Sequence, residues 1–181
     1  MPPVLDDAEP SAAALRSIYA AAFASPPWHE TPDQIEAFVG RLPSHTGKPG
    51  FRCVTAYVDG EPAGFAYGFD TPDPWPADRF YRPIADALGG DTSALRGRFE
   101  VHELAVGPRF AGRGLGAALI RRVTAAAGPS WLVTSPAATA AVRLYERLGW
   151  SRLREFDVPR QPLRTFRVYL SPEAPGSSES P

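Results

Sequence analysis

Between residues 99 and 126 the chain runs from a strand-like segment, FEVHELAV, through GPRFAGRGLG into a stretch with one apolar stripe: Leu115, Ala118, Leu119, Val123 and Ala126. A strand that turns through alternating glycines directly into a helix constrains the fold strongly. It calls for an α/β arrangement, and it points several backbone N–H groups at the positive end of a helix dipole, where an anion such as pyrophosphate binds. Glycine lets a phosphate approach the backbone closely. The bland alternative is that Gly112, Gly114 and Gly116 only permit a tight connection, with Arg109 and Arg113 solvated. Three alternating glycines are more than a packing turn requires.

The string Gly112-Arg113-Gly114-Leu115-Gly116-Ala117 also satisfies G-x-G-x-x-A, the dinucleotide-binding fingerprint. That site wants an acidic residue about 20 positions on. Val133, Thr134, Ser135 and Pro136 stand there instead, and the turn comes too late in the chain to leave strands for a doubly wound sheet.

The rest of the chain reads as alternating helices and strands. Leu15, Ile18, Tyr19 and Ala22 mark one amphipathic helix, with Ser11 or Asp7 as its cap. A second is expected over about 32–43, because Thr31 and Gln34 form a capping-box pattern, Pro32 suits the first turn, and Ile35, Phe38, Val39 and Leu42 share a face. Residues 51–58 and 63–69 flank Asp59-Gly60, which predicts a hairpin, with Pro62 confined to a strand start or a bulge. Within the long connection 70–98, ADRFYRPIADALG suggests a short helix with Phe80, Ile84 and Leu88 inward. After a strand at 131–134, Ser135, Pro136 and Gly149 bracket a helix near 136–148, and 150–156 and 164–170 supply closing strands. The tail 171–181, SPEAPGSSESP, has no apolar content and is expected to be disordered.

Composition narrows the function. With 19 basic and 20 acidic residues the formal charge is -1, which excludes the basic footprint of a nucleic-acid binder. A single cysteine, Cys53, rules out an intramolecular disulfide and fits a reducing, cytoplasmic setting. No export signal and no stretch of about 18 apolar residues is present, so membrane insertion is not expected. The three histidines, His29, His45 and His102, lack ligand spacing, so no metal site is expected.

The segment LAVGPRFAGRGLGAALIRRV resembles the central motif of the GNAT superfamily of N-acetyltransferases, and AAVRLYERLGW, at the expected distance, resembles that family's next motif. The resemblance is firm over 99–156 and looser elsewhere. It implies an α/β fold, single-domain over 1–170, with a central mixed sheet of about six or seven strands flanked by helices, strands four and five splayed around the cofactor. It also implies acetyl-CoA (coenzyme A) as donor and a small-molecule or peptide amine as acceptor. Homodimers are common among relatives.

Carried over by position, the family's Q/R-x-x-G-x-G/A signature falls on Ala111, Gly112, Arg113, Gly114, Leu115 and Gly116, with Ala117 following. Ala111 departs from the usual Gln or Arg. Backbone groups of Leu104, Ala105 and Val106 are expected to meet pantetheine. Tyr145 matches the tyrosine that protonates the departing thiolate, a sensible role for a phenol with an ordinary pKa of about 10. The face Ala141, Leu144, Tyr145 and Leu148 equally reads as core. Glu100 and Glu103 both match positions where relatives carry a base, and strand alternation places Glu103 opposite Glu100 and His102. The family's frequent asparagine is Ala138 here. Trp28, His29, Glu30, Asp70, Asp73, Trp75, Phe80 and Tyr81 are candidates for an acceptor groove. Two other readings stay open: a non-catalytic acyl-CoA-binding module, and an acyltransferase using another acyl-CoA or a hydroxyl acceptor.

Overall fold

Among the described residues, the alternation of helical and strand patterns resolves into seven strands and five α-helices. The structure, a computed structural model, describes residues 3–7, 11–158 and 163–172. Strands β1 (Val4–Asp6), β2 (Arg52–Val58), β3 (Glu61–Asp70), β4 (Phe99–Val106), β5 (Ser130–Thr134), β6 (Ser151–Asp157) and β7 (Thr165–Leu170) form one mixed sheet in the order β1-β2-β3-β4-β5-β7-β6. The helices are α1 (Ala12–Phe23), α2 (Pro32–Thr46), α3 (Tyr81–Ala87), α4 (Leu115–Thr124) and α5 (Thr139–Arg147). By packing, the chain divides into two units: Met1–Asp70 with Val101–Ala125, and Thr71–Glu100 with Ala126–Pro181.

In the first unit, α1 and α2 press their apolar faces onto one side of β3. Leu15, Ile18, Tyr19 and Phe23 meet Ile35, Phe38 and Leu42 over Cys53, Phe65, Tyr67 and Phe69. Tyr19 and Phe38 stack with ring centroids 3.8 Å apart. Burying each such side chain contributes roughly 1.5–3 kcal/mol. The caps follow the sequence pattern. Ser11 Oγ accepts from the Ala14 amide at 3.2 Å, while Asp7, the other candidate cap, pairs with Arg122 of α4. At α2 the capping box closes in both directions, with Gln34 Oε1 accepting from the Thr31 amide at 2.8 Å. This helix continues past the expected stop at 43 to Thr46, carrying Pro43 inside it.

Asp59 (φ 51) and Gly60 (φ 79) form the expected hairpin turn. Pro62 lies beside a bulge: the register passes from Tyr57↔Pro62 to Ala56↔Gly64 and leaves Ala63 without a partner in β2. The Ala63 carbonyl accepts instead from the Gly107 amide at 2.9 Å, just beyond β4. Gly64 lets this region close up, since a Cβ there would lie 2.8 Å from the Ala105 carbonyl oxygen.

In the second unit, β7 pairs antiparallel with both β5 and β6. Its core gathers Tyr81, Ile84, Leu95, Trp131 and Val168, with the Trp131 indole donating to Thr71 Oγ1 at 2.6 Å. Three expectations shift here. Tyr81, 3 % exposed, takes the inward place expected of Phe80, which is 39 % exposed. Helix α5 starts at Thr139, three residues late, because Ser135 Oγ closes a local turn onto the Ala137 amide at 3.2 Å. In α4, of the first unit, Ile120 joins the buried face, and Ala126 lies past the helix end. The amide of Ser171 still bonds the Ser130 carbonyl at 2.9 Å, and the remainder of the expected tail, 173–181, lies outside the described residues.

Two glycine substitutions separate packing from propensity. Gly64→Ala is expected to cost roughly 1–3 kcal/mol by overpacking against backbone. Gly40→Ala, on an exposed turn of α2 where an added Cβ meets nothing within 4 Å, is expected to stabilise by about 0.5–1 kcal/mol. Calorimetric melting of both variants reads the opposite signs.

Candidate functional site

The glycine turn is built as a platform. After β4, a single 3₁₀ turn over Pro108–Phe110 buries the Phe110 ring and so anchors the loop. Gly112 (φ 76) and Gly114 (φ 78) then adopt left-handed conformations, which only glycine takes without strain. An added Cβ at either would meet nothing within 4 Å, so conformation and not crowding demands glycine. Residues 111–114 are exposed. Gly114 is the N-cap of α4, no side chain caps the helix, and its first turn holds no acid. The first amide to bond back is that of Ala118, to the Gly114 carbonyl at 3.1 Å. The amides of Leu115, Gly116 and Ala117 therefore present an uncapped, positively polarised helix end to whatever lies outside. Such a surface fits a pyrophosphate.

The flanking cations divide. Arg109 is paired with Glu61 and sits 4.6 Å from the Phe110 centroid. Arg113 lies 5.7 Å from the same ring. Ala111 brings no polar side chain to the turn.

Glu103 is half-buried in β4, and its carboxyl is pushed up to about 8. Loss of water is the largest cause and the Glu30 charge the next. Arg41 and a hydrogen bond from the Leu104 amide oppose them. Glu30, in the α1–α2 connection, is raised as well, chiefly by desolvation. Tyr19 donates to Glu30 Oε1 at 3.0 Å, and burial plus the charges of Glu103 and Glu30 raise its phenol. Tyr19 and Arg41 belong to this group although the sequence offered no signal for them beyond a helix stripe and a solvated charge.

One residue earlier in β4, His102 packs edge-on against His45 of α2, centroids 4.5 Å apart, and against Tyr67 and Phe69. His45 Nδ1 lies 3.0 Å from the Tyr67 hydroxyl, and burial, then His102, then Lys48 and Arg41 push its imidazole down to about 3. His102 packs on His45 of α2, whereas Glu103 feels the charge of Arg41 on the same helix.

Glu100, the other candidate base, belongs to the second unit. It is 1 % exposed and accepts a hydrogen bond from the Tyr81 hydroxyl at 2.5 Å. Tyr145 is also in the second unit, 5 % exposed, with ring centroids 6.0 Å from both Trp150 and Tyr169. Val142 and Tyr145 form the buried face of α5, while Ala141, Leu144 and Leu148 are half-buried. Ala138 is the N-cap of α5 and makes no side-chain bond.

The candidate groove residues split between the units. Trp28, His29, Glu30 and Asp70 lie in the first; Asp73, Trp75, Phe80 and Tyr81 lie in the second. Trp75 packs on Tyr81 and Trp131, and Asp73 bridges to Arg96 at 3.3 Å, so these two serve their own unit. Among the described residues, no helix is long and apolar enough to cross a membrane.

Solved structures share this architecture. A protein titled histone acetyltransferase HPA2 and related acetyltransferase, from Corynebacterium glutamicum, superposes with a TM-score of 0.70 at 22% identity, covering 96% of this chain and 98% of that one. The ribosomal-protein-S18-alanine N-acetyltransferase of Escherichia coli gives 0.63 at 18% identity, covering 98% and 99%. Salmonella typhimurium yncA, solved with its cofactor acetyl-CoA, gives 0.58 at 16% identity, covering 99% of each. Comparison with curated protein sequences finds no significant match. The family model described as acetyltransferase (GNAT) matches residues 12–150, from α1 through the end of α5 and including the whole glycine turn, and the chain belongs to that family.

Proposed function

We propose that this chain is an N-acetyltransferase that moves the acetyl group of acetyl-CoA to a primary amine of a small molecule or peptide, by direct attack in a ternary complex. The observation that carries the reading is the exposed, uncapped N-terminus of α4 behind Gly112 and Gly114. The amides of the 111–117 turn hold the pyrophosphate, Arg113 adds charge beside it, and backbone groups of Leu104, Ala105 and Val106 take the pantetheine amides. The thioester supplies an activated acetyl carbon with a good leaving group.

Glu103 is the base. A carboxyl raised to about 8 has the proton affinity to take a proton from an amine near neutral pH, which an ordinary carboxylate lacks. As the C–N bond forms and the C–S bond breaks, Glu103 receives a proton from nitrogen. Tyr145 gives one to sulfur, a role resting on its match to the family motif. Glu100 is set aside because the Tyr81 hydroxyl already engages it in a site from which water is excluded. The alanines at Ala111 and Ala138 keep a non-catalytic acyl-CoA-binding module as the second reading, since each removes a polar contact that relatives carry.

Isothermal titration with acetyl-CoA separates these possibilities in order. One-site binding is expected for the parent chain and loss of it for Gly114→Glu, whose carboxylate enters the anion site; a folded parent chain that binds nothing would overturn the donor assignment. Turnover on a panel of primary amines then distinguishes enzyme from binding module. In that assay kcat/KM is expected to rise with pH through about 8, as Glu103 loses its proton. Glu103→Gln should remove this limb and lower kcat by roughly 10²–10⁴-fold, with Tyr145→Phe slowing the reaction over a similar range. Unchanged rates in both would exclude the assigned roles.

A further inference from the structure

Of the 19 basic residues in the sequence, Lys48 alone is a lysine. An arginine guanidinium keeps its proton and is no nucleophile, so Lys48 is the one side-chain primary amine in the sequence. The turn that bears it is tied down on both sides. Its amide donates to the His45 carbonyl at 3.0 Å, and its carbonyl accepts from the Phe51 amide at 3.2 Å. The next carbonyl, that of Pro49, accepts from the Asp70 amide at the end of β3 at 2.9 Å. Gly50 (φ 67) completes the fit, since a Cβ there would run into the Asp70 carboxyl. The Lys48 side chain is half-buried and lays Nζ over the Phe69 ring, 3.9 Å from its centroid. It forms no ion pair among the described residues. A surface lysine carries its charged head out to water or pairs it with a carboxylate, whereas this one rests against a buried ring.

Phe69 connects Lys48 to the strand that leads into the glycine turn. Its ring is 0 % exposed and lies 5.0 Å, centroid to centroid, from that of His102 in β4 and 5.4 Å from that of His45. Leu104, Ala105 and Val106, further along β4, are assigned above to the pantetheine arm, and the glycine turn follows them in the same unit as Lys48. We propose that Lys48 is a self-acetylation site, its Nζ accepting the acetyl group of acetyl-CoA held by the glycine turn of the same molecule. This rests on the reading of that turn as the acetyl-CoA site. The lysine nitrogen forms a bond to the acetyl carbon as the C–S bond breaks. One proton of the ammonium passes to the departing sulfur and one to water, which leaves an amide and free coenzyme A. The ring face holds the ammonium without fixing it in an ion pair, so the amine stays free to give up its proton. Carrying the amine on the unit that binds the donor raises its effective concentration above that of a solvated amine.

The test uses the full chain with Arg121→Lys, which supplies a reference amine at an exposed position of α4. After incubation with acetyl-CoA, acetylation at each position is followed over time by peptide mass spectrometry. Residue 48 is expected to be acetylated roughly tenfold or more faster than the reference amine, with a first-order rate that does not change when the protein is diluted. Simple chemical acylation favours the reference amine, because it is the more exposed of the two. Gly114→Glu is expected to slow residue 48 to the reference rate or below. Should that variant fail to fold, excess coenzyme A competing for the turn is expected to do the same. Labelling at residue 48 no faster than at the reference overturns the proposal, as does fast labelling that survives loss of the donor site. A rate that climbs with protein concentration overturns it too, since acetyl groups would then pass between molecules. Failure of the underlying reading looks different: titration would find no acetyl-CoA binding and the amine panel no turnover, whereas failure of this proposal alone leaves both intact.

Discussion

The packing of α1 and α2 onto the aromatic row of β3 does more than stabilise the first unit. Phe65, Tyr67 and Phe69 alternate along β3, and Tyr19 and Phe38 close over them. That layer strips water from the middle of β4, and everything unusual about the acid–base groups there follows. Desolvation is the first cause of the shift at Glu103, at Glu30, at Tyr19 and at His45. It disfavours whichever form is charged, so it raises the carboxyls and the phenol and lowers the imidazole. One physical act, the docking of two helices, thus pushes the Glu103 carboxyl up to about 8 and the His45 imidazole down to about 3.

The glycine turn works by the opposite principle. Among the described residues, a Cβ added at Gly112 or Gly114 would meet nothing within 4 Å, no side chain caps α4, and residues 111–114 are exposed. Where Glu103 is shifted by loss of solvent, the amides of residues 115–117 stand at an uncapped helix end. The anchoring comes from behind, through Phe110 and the Gly107 amide bound to Ala63. The bulge at Ala63 matters here, because freeing that carbonyl from β2 lets it hold the start of the turn. The loop is anchored without being covered.

Much of this was legible in the residues, and the misses have physical causes. Capping at Thr31 and Gln34, the Asp59-Gly60 turn and the strand–turn–helix of 99–124 are short-range patterns, and each formed as read. Errors arose where tertiary packing overrode a local cue. Phe80 gave way to Tyr81 because the tyrosine hydroxyl meets buried Glu100. Ser135 capped a turn and not the helix, and β1, a strand of only three residues, offers too short an alternation to read. The Glu30–Glu103–Tyr19–Arg41 group was the least legible: its members come from α1, the α1–α2 connection, α2 and the distant β4, and no spacing rule links them.

The contrast between Glu100 and Glu103 shows why site chemistry has to be argued from surroundings. Both are β4 glutamates from which water is largely excluded, and sequence position ranked them equally. Tyr81 meets Glu100 with a hydroxyl at 2.5 Å, a pairing that satisfies the carboxylate and occupies it. Glu103 loses water and feels the charge of Glu30, and Arg41 and the Leu104 amide only partly offset these two effects. A carboxyl placed where solvent is scarce and a second negative charge acts on it relieves repulsion by taking a proton. The same residue type, three positions apart, thus meets a hydroxyl donor in one place and the charge of a second acid in the other.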